Sequence, residues 1–428
     1  MAGAAPASVQ PTQPISVREA RRRIMERVRS LGIERVALSA ALGRVPAEPV
    51  VARRDQPPRD NSAMDGYAVR AADVAPGIPL PVALDVPAGA VPGVLPEGAA
   101  ARIMTGAPIP AGADAVVPVE ATVGPDGEGV FAARGAAVRF LTRPEPGAHI
   151  RTRGEDIRKG AVVLSAGAPC RGPHIALAAA SGHALLSVHR RPRVAIVSTG
   201  DELVDLGGTS DPDRIVDGNG YGLAAEVEAA GGVPILLPIV RDDPTATREA
   251  LASALDLDAV VTIGGVSAGE RDHVRDALAQ VGVELAFWRV ALRPGGPMAF
   301  GSTPAGRLAF ALPGNPVSAH VTFELFVRPA LLRMGGHARC FRRIFPARLA
   351  EPVPKAPGKE YVLRAKASAG PEGWQVRLTG PQGSGILSSL VEADVLLILP
   401  RDAGDLPAGA AVDMLPLSDR MFMEAEGL

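Results

Sequence analysis

The sequence predicts an α/β fold flanked by β-rich segments. Short, continuously apolar strands alternate with helices from residue 193 to residue 334, which is typical of a doubly wound parallel sheet. Residues 46–147 are crowded with Pro and Gly between short apolar runs, which indicates an all-β module with tight turns. Residues 340–420 return to alternating short runs, which indicates a small β domain at the end of the chain.

Length and composition limit the possible classes of protein. The chain has 428 residues, enough for about two to four domains. Lys and Arg number 45 and Asp and Glu number 46, so the net charge of -1 gives no electrostatic case for a protein that binds nucleic acid or a membrane surface. Cys170 and Cys340 are the only cysteines, which excludes a disulfide scaffold and a Cys-rich zinc site.

The sequence also lacks targeting and membrane signals. Met1–Val17 is rich in Ala, Pro and Gln and has no basic run followed by an apolar core, so we expect a disordered tail over residues 1–14 rather than a secretory signal. No run of 18 apolar residues is present, which argues against a membrane span. We therefore expect a cytoplasmic protein whose two thiols are free in a reducing compartment.

The first elements follow from capping and spacing signals. Ser16-Val-Arg-Glu19 is a capping-box pattern, and the apolar spacing after it predicts a helix over 16–31. Residues 171–188, opened by Pro173, predict a second helix. In the β module, strands are predicted at Pro79–Val86, Arg102–Met104 and Ala115–Val119.

The α/β segment then follows a regular order. Its predicted strands are Arg193–Ser198, Pro234–Val240, Asp258–Ile263 and Leu308–Leu312. Its predicted helices are Gly220–Ala230, 244–255, 271–281 and Pro316–Met334. The last β domain has predicted strands at Tyr361–Lys366, Trp374–Leu378 and Asp394–Leu399.

Polar and glycine-rich loops follow the predicted strands of the α/β segment. They are Ser198–Glu202, Asp217–Asn219, Arg241–Asp243, Gly264–Asp272 and Pro313–Pro316. Because ligands of open parallel sheets bind beyond the carboxyl ends of the strands, we expect these loops to form one rim. Carboxylates beside glycine turns indicate a divalent cation bridging to a phosphate, and Mg²⁺ prefers one or two carboxylates with water and phosphate oxygens.

Each of these motifs also has a simpler structural explanation. Asp243, and to a lesser degree Asp242, is also compatible with a helix N-cap. Gly264-Gly265 is also compatible with a simple tight turn. Several familiar sites are absent from the sequence. It has no GxxxxGK[ST] loop, no GxGxxG after the first α/β strand and no HExxH pair, which argues against a P-loop nucleotidase, an ordinary dinucleotide fold and a zinc hydrolase.

Basic residues beside a Pro-Gly turn suggest an oxyanion site. Arg289 and Arg293 are four residues apart next to that turn, and guanidinium groups match tetrahedral oxyanions, although a surface pair would look the same. Arg364 and Ser384 in the last domain could add a further cation and a hydroxyl group.

These motifs give the chain a family resemblance. The segments that carry it are Asp60–Val69, Arg102–Pro108, Arg153–Asp156, Ser198–Leu203, Ile263–Glu270 and Leu312–Ser318. With them the chain resembles the molybdopterin molybdenumtransferases, or molybdenum insertases, a family that includes the E domain of gephyrin. The segments occur in the order of the family and span residues 60–320, and the tail fits as well.

The resemblance implies an architecture of four domains in an elongated homodimer. The implied units are a mixed N-terminal domain split into 15–45 and 148–190, an inserted β domain at 46–147, a molybdopterin-binding α/β domain at 191–337 and a β domain at 338–428. The implied reaction inserts molybdate into adenylylated molybdopterin, with Mg²⁺ or a similar divalent cation and release of AMP. The implied partners are the molybdopterin adenylylation enzyme and client molybdoenzymes or their chaperones.

The resemblance also assigns roles to residues of this chain. It implies catalytic roles for Asp242, Asp272, Glu202, Asp65 and Asp156, of which Asp242 and Asp272 would also serve the metal ion. It implies a pterin nucleotide pocket lined by Thr199, Gly200, Asp217, Asn219, Gly264, Gly265, Val266, Ser267, Pro313, Gly314 and Asn315. It implies a molybdate side lined by Arg289, Arg293, Pro297, Ser318, Arg364 and Ser384. Asp65 and Asp156 would reach the cleft of the partner subunit.

The chain departs from the family pattern at the molybdate side. Many members read Lys-Pro-Gly-Lys-Pro where this chain reads Arg293-Pro-Gly-Gly-Pro297, so Gly296 removes one cation, at a cost of about 1–3 kcal/mol for one lost ion contact. Arg289 also stands where Lys is common, and His273 replaces a frequent Tyr. Gly296 motivates one alternative function, a non-catalytic scaffold that binds and delivers molybdopterin. A molybdopterin adenylyltransferase, which shares the α/β domain, is the other.

Overall fold

The computed structural model describes residues 13–207, 212–266 and 273–423. The elements before residue 190 are α1 (Val17–Arg27), β1 (Ile33–Ala37), β2 (Val50–Val51), β3 (Asn61–Ser62), β4 (Gly66–Val69), β5 (Pro79–Val86), β6 (Ala100–Ile103), β7 (Ala115–Pro118), β8 (Thr122–Gly124), β9 (Gly127–Glu128), β10 (Ala137–Phe140), β11 (Ile150–Arg151), β12 (Val162–Leu164), α2 (Gly172–Ala180) and β13 (Leu185–His189). Strands β4 to β10 form one sheet in the order β7-β4-β6-β5-β10-β8-β9, so the β module exists as predicted. Its core packs Tyr67 edge-on against Phe140.

The segment before the β module pairs with the segment after it. Strands β1, β2 and β3 pair antiparallel with β13, β12 and β11, respectively. The helix predicted over 171–188 is wrong in its second half, because α2 ends at Ala180 and Gly182 adopts a φ of 93°. Leu185–His189 is then a strand that pairs with β1. Its alternating burial is that of a half-buried strand, not a helix.

The first helix is shorter than predicted. Ser16 caps it as the sequence indicates, since its hydroxyl oxygen accepts a hydrogen bond from the Glu19 N–H at 3.1 Å. The helix ends at Arg27 instead of residue 31, because Val28 is extended with φ -77° and ψ 131°. Leu31 then donates its N–H to the Met334 carbonyl at 2.8 Å, which fixes the chain against a distant helix end.

The α/β segment contains most of the remaining elements. They are β14 (Arg193–Ser198), β15 (Leu203–Val204), β16 (Ile215–Val216), α3 (Gly218–Ala229), β17 (Val233–Leu236), α4 (Pro244–Ala254), β18 (Ala259–Ile263), α5 (Val274–Gln280), β19 (Glu284–Trp288), β20 (Leu292–Arg293), β21 (Ala299–Ser302), β22 (Leu308–Leu312), α6 (Pro316–Thr322) and α7 (Arg328–Met334). A π-helical turn, Phe323–Val327, joins α6 to α7 in one long helix, as the sequence predicts for 316–334.

The main sheet has the order β17-β14-β18-β22-β21-β19. Its first four strands are parallel, and β21 runs antiparallel to both of its neighbours, β22 and β19. Strand β19 therefore has the same direction as the first four strands, and the parallel sheet expected from the sequence contains one antiparallel strand, β21. The reason is the short turn between β21 and β22, in which Thr303 donates its N–H to the Arg307 carbonyl at 2.9 Å. A parallel connection needs a dozen or more residues.

Helix α1 packs on the α/β segment rather than on its neighbours in the chain. Val17, Ala20 and Ile24 are buried in the core formed by α3, α6, α7 and the main sheet. Ile15 just before it donates its N–H to the Arg289 carbonyl at 3.2 Å and accepts from the Ala291 N–H at 2.8 Å. The start of the segment 15–45, expected in the N-terminal mixed domain, therefore belongs structurally to the α/β layer.

The C-terminal elements form a barrel. They are β23 (Phe345–Leu349), β24 (Glu360–Gly370), β25 (Gly373–Leu378), α8 (Ser388–Val391), β26 (Val395–Leu399) and β27 (Ala411–Pro416). The sheet order β24-β25-β23-β27-β26 is closed by pairing between β24 and β26. Strand β20 adds to β24 in parallel and ties the barrel to the α/β segment. Within the residues that the structure describes, no helix is long and apolar enough to cross a membrane.

Candidate functional site

A cavity of about 750 Å³ lies at the carboxyl ends of the central strands β14, β18 and β22. Its lining residues are Thr199, Gly200, Glu202, Leu203, Ile215, Val216, Asp217, Gly218, Asn219, Asp242, Ile263, Gly264, Gly265, Val266, Pro297, Pro313, Gly314, Asn315, Pro316 and Leu387. The loops that the sequence places on one rim thus meet in one cavity. Ser267 and Asp272, which the sequence assigns to the same site, lie outside the described residues.

The loop after β14 brings a carboxylate onto the cavity wall. Thr199 and Gly200 donate their N–H groups to the carbonyls of Ile263 and Val240, at 2.9 and 3.1 Å, which continues the sheet by one step. Gly200 has a φ of 150°, and a Cβ atom there would lie 2.5 Å from Oε2 of Glu202. The absence of a side chain at Gly200 therefore lets the Glu202 carboxylate fold back against the backbone.

The two glycines after β18 are required by their conformation and by their neighbours. Gly264 and Gly265 have φ values of 93° and 62°. A Cβ atom on Gly264 would lie 2.7 Å from the Thr199 carbonyl oxygen, and one on Gly265 would lie 2.5 Å from Cγ2 of Val274. The turn therefore exposes bare backbone to the cavity, which allows an anion to approach its N–H groups closely.

The start of α3 forms the opposite wall of the cavity. Asp217 is buried and caps the helix, because its carboxylate accepts a hydrogen bond from the Gly220 N–H at 2.9 Å. Asn219 donates from Nδ2 to the Gly314 carbonyl at 2.7 Å, which ties α3 to the Pro313–Asn315 loop. The positive end of the α3 dipole therefore borders the cavity, and negative charge is stabilised there.

The two aspartates after β17 have different roles. Asp243 caps α4, since its carboxylate accepts from the Ala246 N–H at 2.7 Å. Asp242 lines the cavity, and its own N–H donates to the Asp201 carboxylate at 3.3 Å. Asp243, for which the sequence favoured the N-cap, is the cap, and Asp242 is the residue that the resemblance assigns to catalysis.

The residues assigned to molybdate do not all share this cavity. Pro297 lines it, whereas Arg293 lines a second cavity of about 510 Å³ on the barrel side. There Arg293 donates to the Tyr361 hydroxyl at 3.0 Å and lies over its ring, 5.1 Å from the centroid. This contact lowers the pKa of the Tyr361 phenol. Lys355, on the same ring, donates to the carbonyls of nearby residues.

Arg364 is fully buried and does not line either cavity. Its guanidinium donates to the carbonyls of Pro381, Gln382 and Gly383, at 3.4, 3.3 and 3.0 Å, and to the hydroxyl of Ser389 at 3.0 Å. Burial lowers its pKa to about 10. The expectation that Arg364 faces molybdate directly does not match this placement, because its donors are used to hold the neighbouring loop.

The loop that Arg364 holds contacts the start of α6. Ser384 accepts the Val317 N–H on its carbonyl at 3.0 Å, next to the buried Ser318. Arg289 precedes the Pro-Gly turn with a φ of 131°, a conformation that side chains rarely adopt. A Cβ atom at Gly296 would lie 3.0 and 3.2 Å from two backbone carbonyl oxygens, so a larger residue needs the turn to shift.

Asp65 and Asp156 lie on the N-terminal part of the chain, are exposed and do not line the cavity. The Asp65 carboxylate accepts the Thr105 N–H at 2.6 Å, and this hydrogen bond lowers its pKa. Among the described residues, no group of three His, Cys, Asp or Glu side chains is placed to hold a metal ion, and Asp272 is not one of those residues.

The sequence reasoning missed an apolar part of the wall. Leu203, Ile215 and Val216 belong to the small β15–β16 ribbon and line the cavity, as does Leu387 from the barrel. Ile215 and Val216 are 58% and 45% exposed. The pairs Leu203-Val204 and Ile215-Val216 are short apolar runs between charged loops. An apolar pair within a charged loop was the sequence signal that could have indicated this part of the wall.

The chain combines a split N-terminal unit, an open α/β sheet with a cavity lined by carboxylates and glycines, and a C-terminal barrel. This architecture is that of a known class of biosynthetic proteins. Family models match along nearly the whole chain. The MoeA N-terminal region, domains I and II, matches residues 15–182, the probable molybdopterin binding domain matches residues 195–333, and the MoeA C-terminal region, domain IV, matches residues 346–417.

Individual proteins agree with these matches. The chain is 38% identical to a molybdopterin molybdenumtransferase of Nostoc sp. over 90% of this chain and 88% of the relative. It is 39% identical to molybdopterin molybdenumtransferase 2 of Mycobacterium tuberculosis over 94% of this chain and 100% of the relative. The molybdopterin biosynthesis MoeA protein of Pyrococcus horikoshii superposes with a TM-score of 0.78 at 31% identity, over 94% of this chain and 100% of that one. The chain belongs to the molybdopterin molybdenumtransferase family, whose members are transferases.

Proposed function

We propose that this protein inserts molybdate into adenylylated molybdopterin and releases AMP, in the last step of molybdenum cofactor biosynthesis. The observation that carries the proposal is the cavity at the sheet edge, where the Glu202 and Asp242 carboxylates, the Gly264-Gly265 turn and the start of α3 converge. We place the reaction in the cytoplasm. Cys170 and Cys340 are buried, unbridged thiols, in keeping with a reducing compartment.

The cavity has separate surfaces for the parts of a pterin nucleotide. The backbone N–H groups of Gly264 and Gly265 and the positive end of α3 suit the phosphates. The apolar side chains of Leu203, Ile215 and Val216 suit the flat face of a heterocycle, since burying that face against them removes apolar surface from water. A volume of about 750 Å³ is within the usual range of ligand pockets, about 300–1,000 Å³.

The residues of the cavity fit a divalent cation such as Mg²⁺. Two carboxylates, Glu202 and Asp242, line it beside the glycine turn, and one or two carboxylates with phosphate oxygens is the donor set that Mg²⁺ prefers. Asp242 and Asp272 are the residues that we expect to hold the ion. When bound, a divalent cation would screen the charge of the diphosphate and stabilise the leaving AMP.

We place molybdate between the Pro-Gly turn and the barrel. We propose that Arg289, Arg293, Pro297, Ser318 and Ser384 line its site, because guanidinium and hydroxyl groups bind a tetrahedral dianion well. Arg293 contributes from the barrel side, where it contacts Tyr361. Arg364 supports the region indirectly, because its guanidinium holds the loop that precedes Ser384.

An assay of AMP release tests the proposal. Purified protein with adenylylated molybdopterin, Mg²⁺ and molybdate should release AMP and yield metal-loaded cofactor, and EDTA should stop the release until Mg²⁺ is restored. Tight binding of the pterin without AMP release would instead support the delivery scaffold. Consumption of ATP with unmodified molybdopterin, and no response to molybdate, would support the adenylyltransferase.

We propose that the protein acts as a homodimer in which Asp65 and Asp156 reach the cavity of the partner subunit. Both are exposed and lie outside the cavity of their own chain, and the paired strands β2 and β12 of the same N-terminal part expose Val51 and Val162, by 42% and 58%. Sedimentation equilibrium should give twice the mass of the chain, and a monomer at micromolar concentration would contradict the proposal. An adenylylation enzyme would supply the substrate, and molybdoenzymes or their chaperones would take the product.

A further inference from the structure

The two helices that border the cavity are joined again behind it. At the cavity itself, Asn219 of α3 donates to the Gly314 carbonyl just before α6, at 2.7 Å. Farther along both helices, Nδ1 of His320 on α6 lies 2.8 Å from Oε1 of Glu226 on α3. The His320 side chain is only 11% exposed. The two helices also share an apolar core, and these two polar contacts restrain their relative orientation at two different points along that core.

The sequence of α3 makes room for the His320 ring. Gly222 lies inside the helix, where glycine is unfavourable relative to alanine. A Cβ atom at Gly222 would lie 2.7 Å from Cε1 and 2.9 Å from Nε2 of His320. The imidazole therefore packs directly on the α3 backbone, and Gly222 is the residue that permits it. Gly220, two residues toward the cavity, makes similar room for the capping carboxylate of Asp217, 2.4 Å from its Cβ position.

The environment of the pair favours a fixed contact. Burial raises the pKa of the Glu226 carboxyl, and the hydrogen bond with His320 opposes that rise. Oε2 of Glu226 is buried and has no hydrogen-bond partner, so the carboxylate depends on His320 for the partner of its other oxygen. Removing the imidazole would also take away the hydrogen-bond partner of Oε1. A carboxylate that has lost this hydrogen bond disfavours the present packing of α3 on α6.

We propose that His320, held by Glu226, is a positioning residue that fixes the separation of α3 and α6 and thereby the width of the pterin nucleotide cavity. The inference rests on the proposed function, since it concerns how that same cavity selects its substrate. A wider cavity weakens contacts that exist in the bound substrate and in the transition state alike. Loss of such contacts raises KM and leaves kcat nearly unchanged.

Four variants test this inference through KM and kcat for AMP release and through the Kd for molybdopterin without turnover. His320→Ala should raise KM and Kd about tenfold with kcat changed less than about twofold. Gly222→Ala should do the same, because its methyl group displaces the ring. In the His320→Ala background, Gly222→Ala should have no further effect. His320→Asn, which keeps a donor near the Nδ1 position, should restore most of the affinity.

The controls separate failure of this inference from failure of the proposed function. Glu228→Gln, an exposed position on the same helix, should leave all three constants unchanged. Wild-type protein that releases no AMP and binds no molybdopterin would overturn the proposed function. Active wild-type protein whose KM is unaffected by His320→Ala, or whose kcat falls instead, would overturn the positioning role. If His320→Ala does not fold, the response of KM to Gly222→Ala decides.

Discussion

Replacement of Asp242 by Asn should lower kcat for AMP release by about 100-fold or more, a loss typical of removing one preorganised group that stabilises the transition state. The variant removes a negative charge from the cavity wall and keeps the shape of the side chain. Because the surfaces that we propose for the pterin and the phosphates are formed by other residues, the Kd for molybdopterin should change by less than about threefold. Single-turnover AMP release and equilibrium binding measure the two effects separately.

The neighbouring residue provides a matched control. Asp243→Asn makes the same chemical change one position along the chain, but Asn caps helices as well as Asp does. Since the Asp243 side chain is used to cap α4, this variant should keep both activity and stability. Full activity of Asp242→Asn, or equal losses in the two variants, would contradict the role assigned to Asp242.

Replacement of Arg364 by Met should destabilise the protein by about 3 kcal/mol. Three carbonyl groups and the Ser389 hydroxyl would each lose a charged donor in a buried position. The loop that ends at Ser384 would also loosen against α6, so kcat/KM for molybdate should fall about tenfold. Chemical denaturation followed by barrel tryptophan fluorescence, with AMP release at varied molybdate concentration, gives both quantities.

Arg377 is a suitable control for this experiment. It lies on β25 opposite Lys366 of β24, its side chain is 67% exposed, and the ion pair that it makes with Glu351 is long at 3.5 Å. Arg377→Met should change stability by no more than about 0.5 kcal/mol. A similarly small effect of Arg364→Met would mean that its hydrogen bonds do not hold the loop.

Much of the cavity could be predicted from the sequence, because it depends on the order in which strands and loops follow one another along the chain. Strands such as Leu308–Leu312 are short, fully apolar and bounded by Pro and Gly, and the loops at their carboxyl ends must meet when the strands are parallel. The same reasoning left Asp242 and Asp243 undecided, because a cap and a site residue look alike until the helix start is fixed.

Other features depended on contacts between distant residues, which one sequence does not specify. Arg364 is an unremarkable charged residue in a strand pattern, and only the path of the 381–383 loop makes it buried. The antiparallel direction of β21 depends on the short turn before β22, which gives little signal in composition. The location of α1 depends on residues near Arg289 and Met334, far along the chain.

The attachment of α1 to the α/β layer means that this layer is discontinuous in sequence. An excised segment 191–337 would expose the apolar surface that Val17, Ala20 and Ile24 cover, and would lose the backbone hydrogen bonds between Ile15 and residues Arg289 and Ala291. During synthesis α1 leaves the ribosome long before the helices that it packs against. Its apolar face therefore stays exposed to solvent until the chain has been synthesised beyond α7. Cutting the gene at the linear boundaries of its segments would therefore separate one folding unit into two incomplete ones.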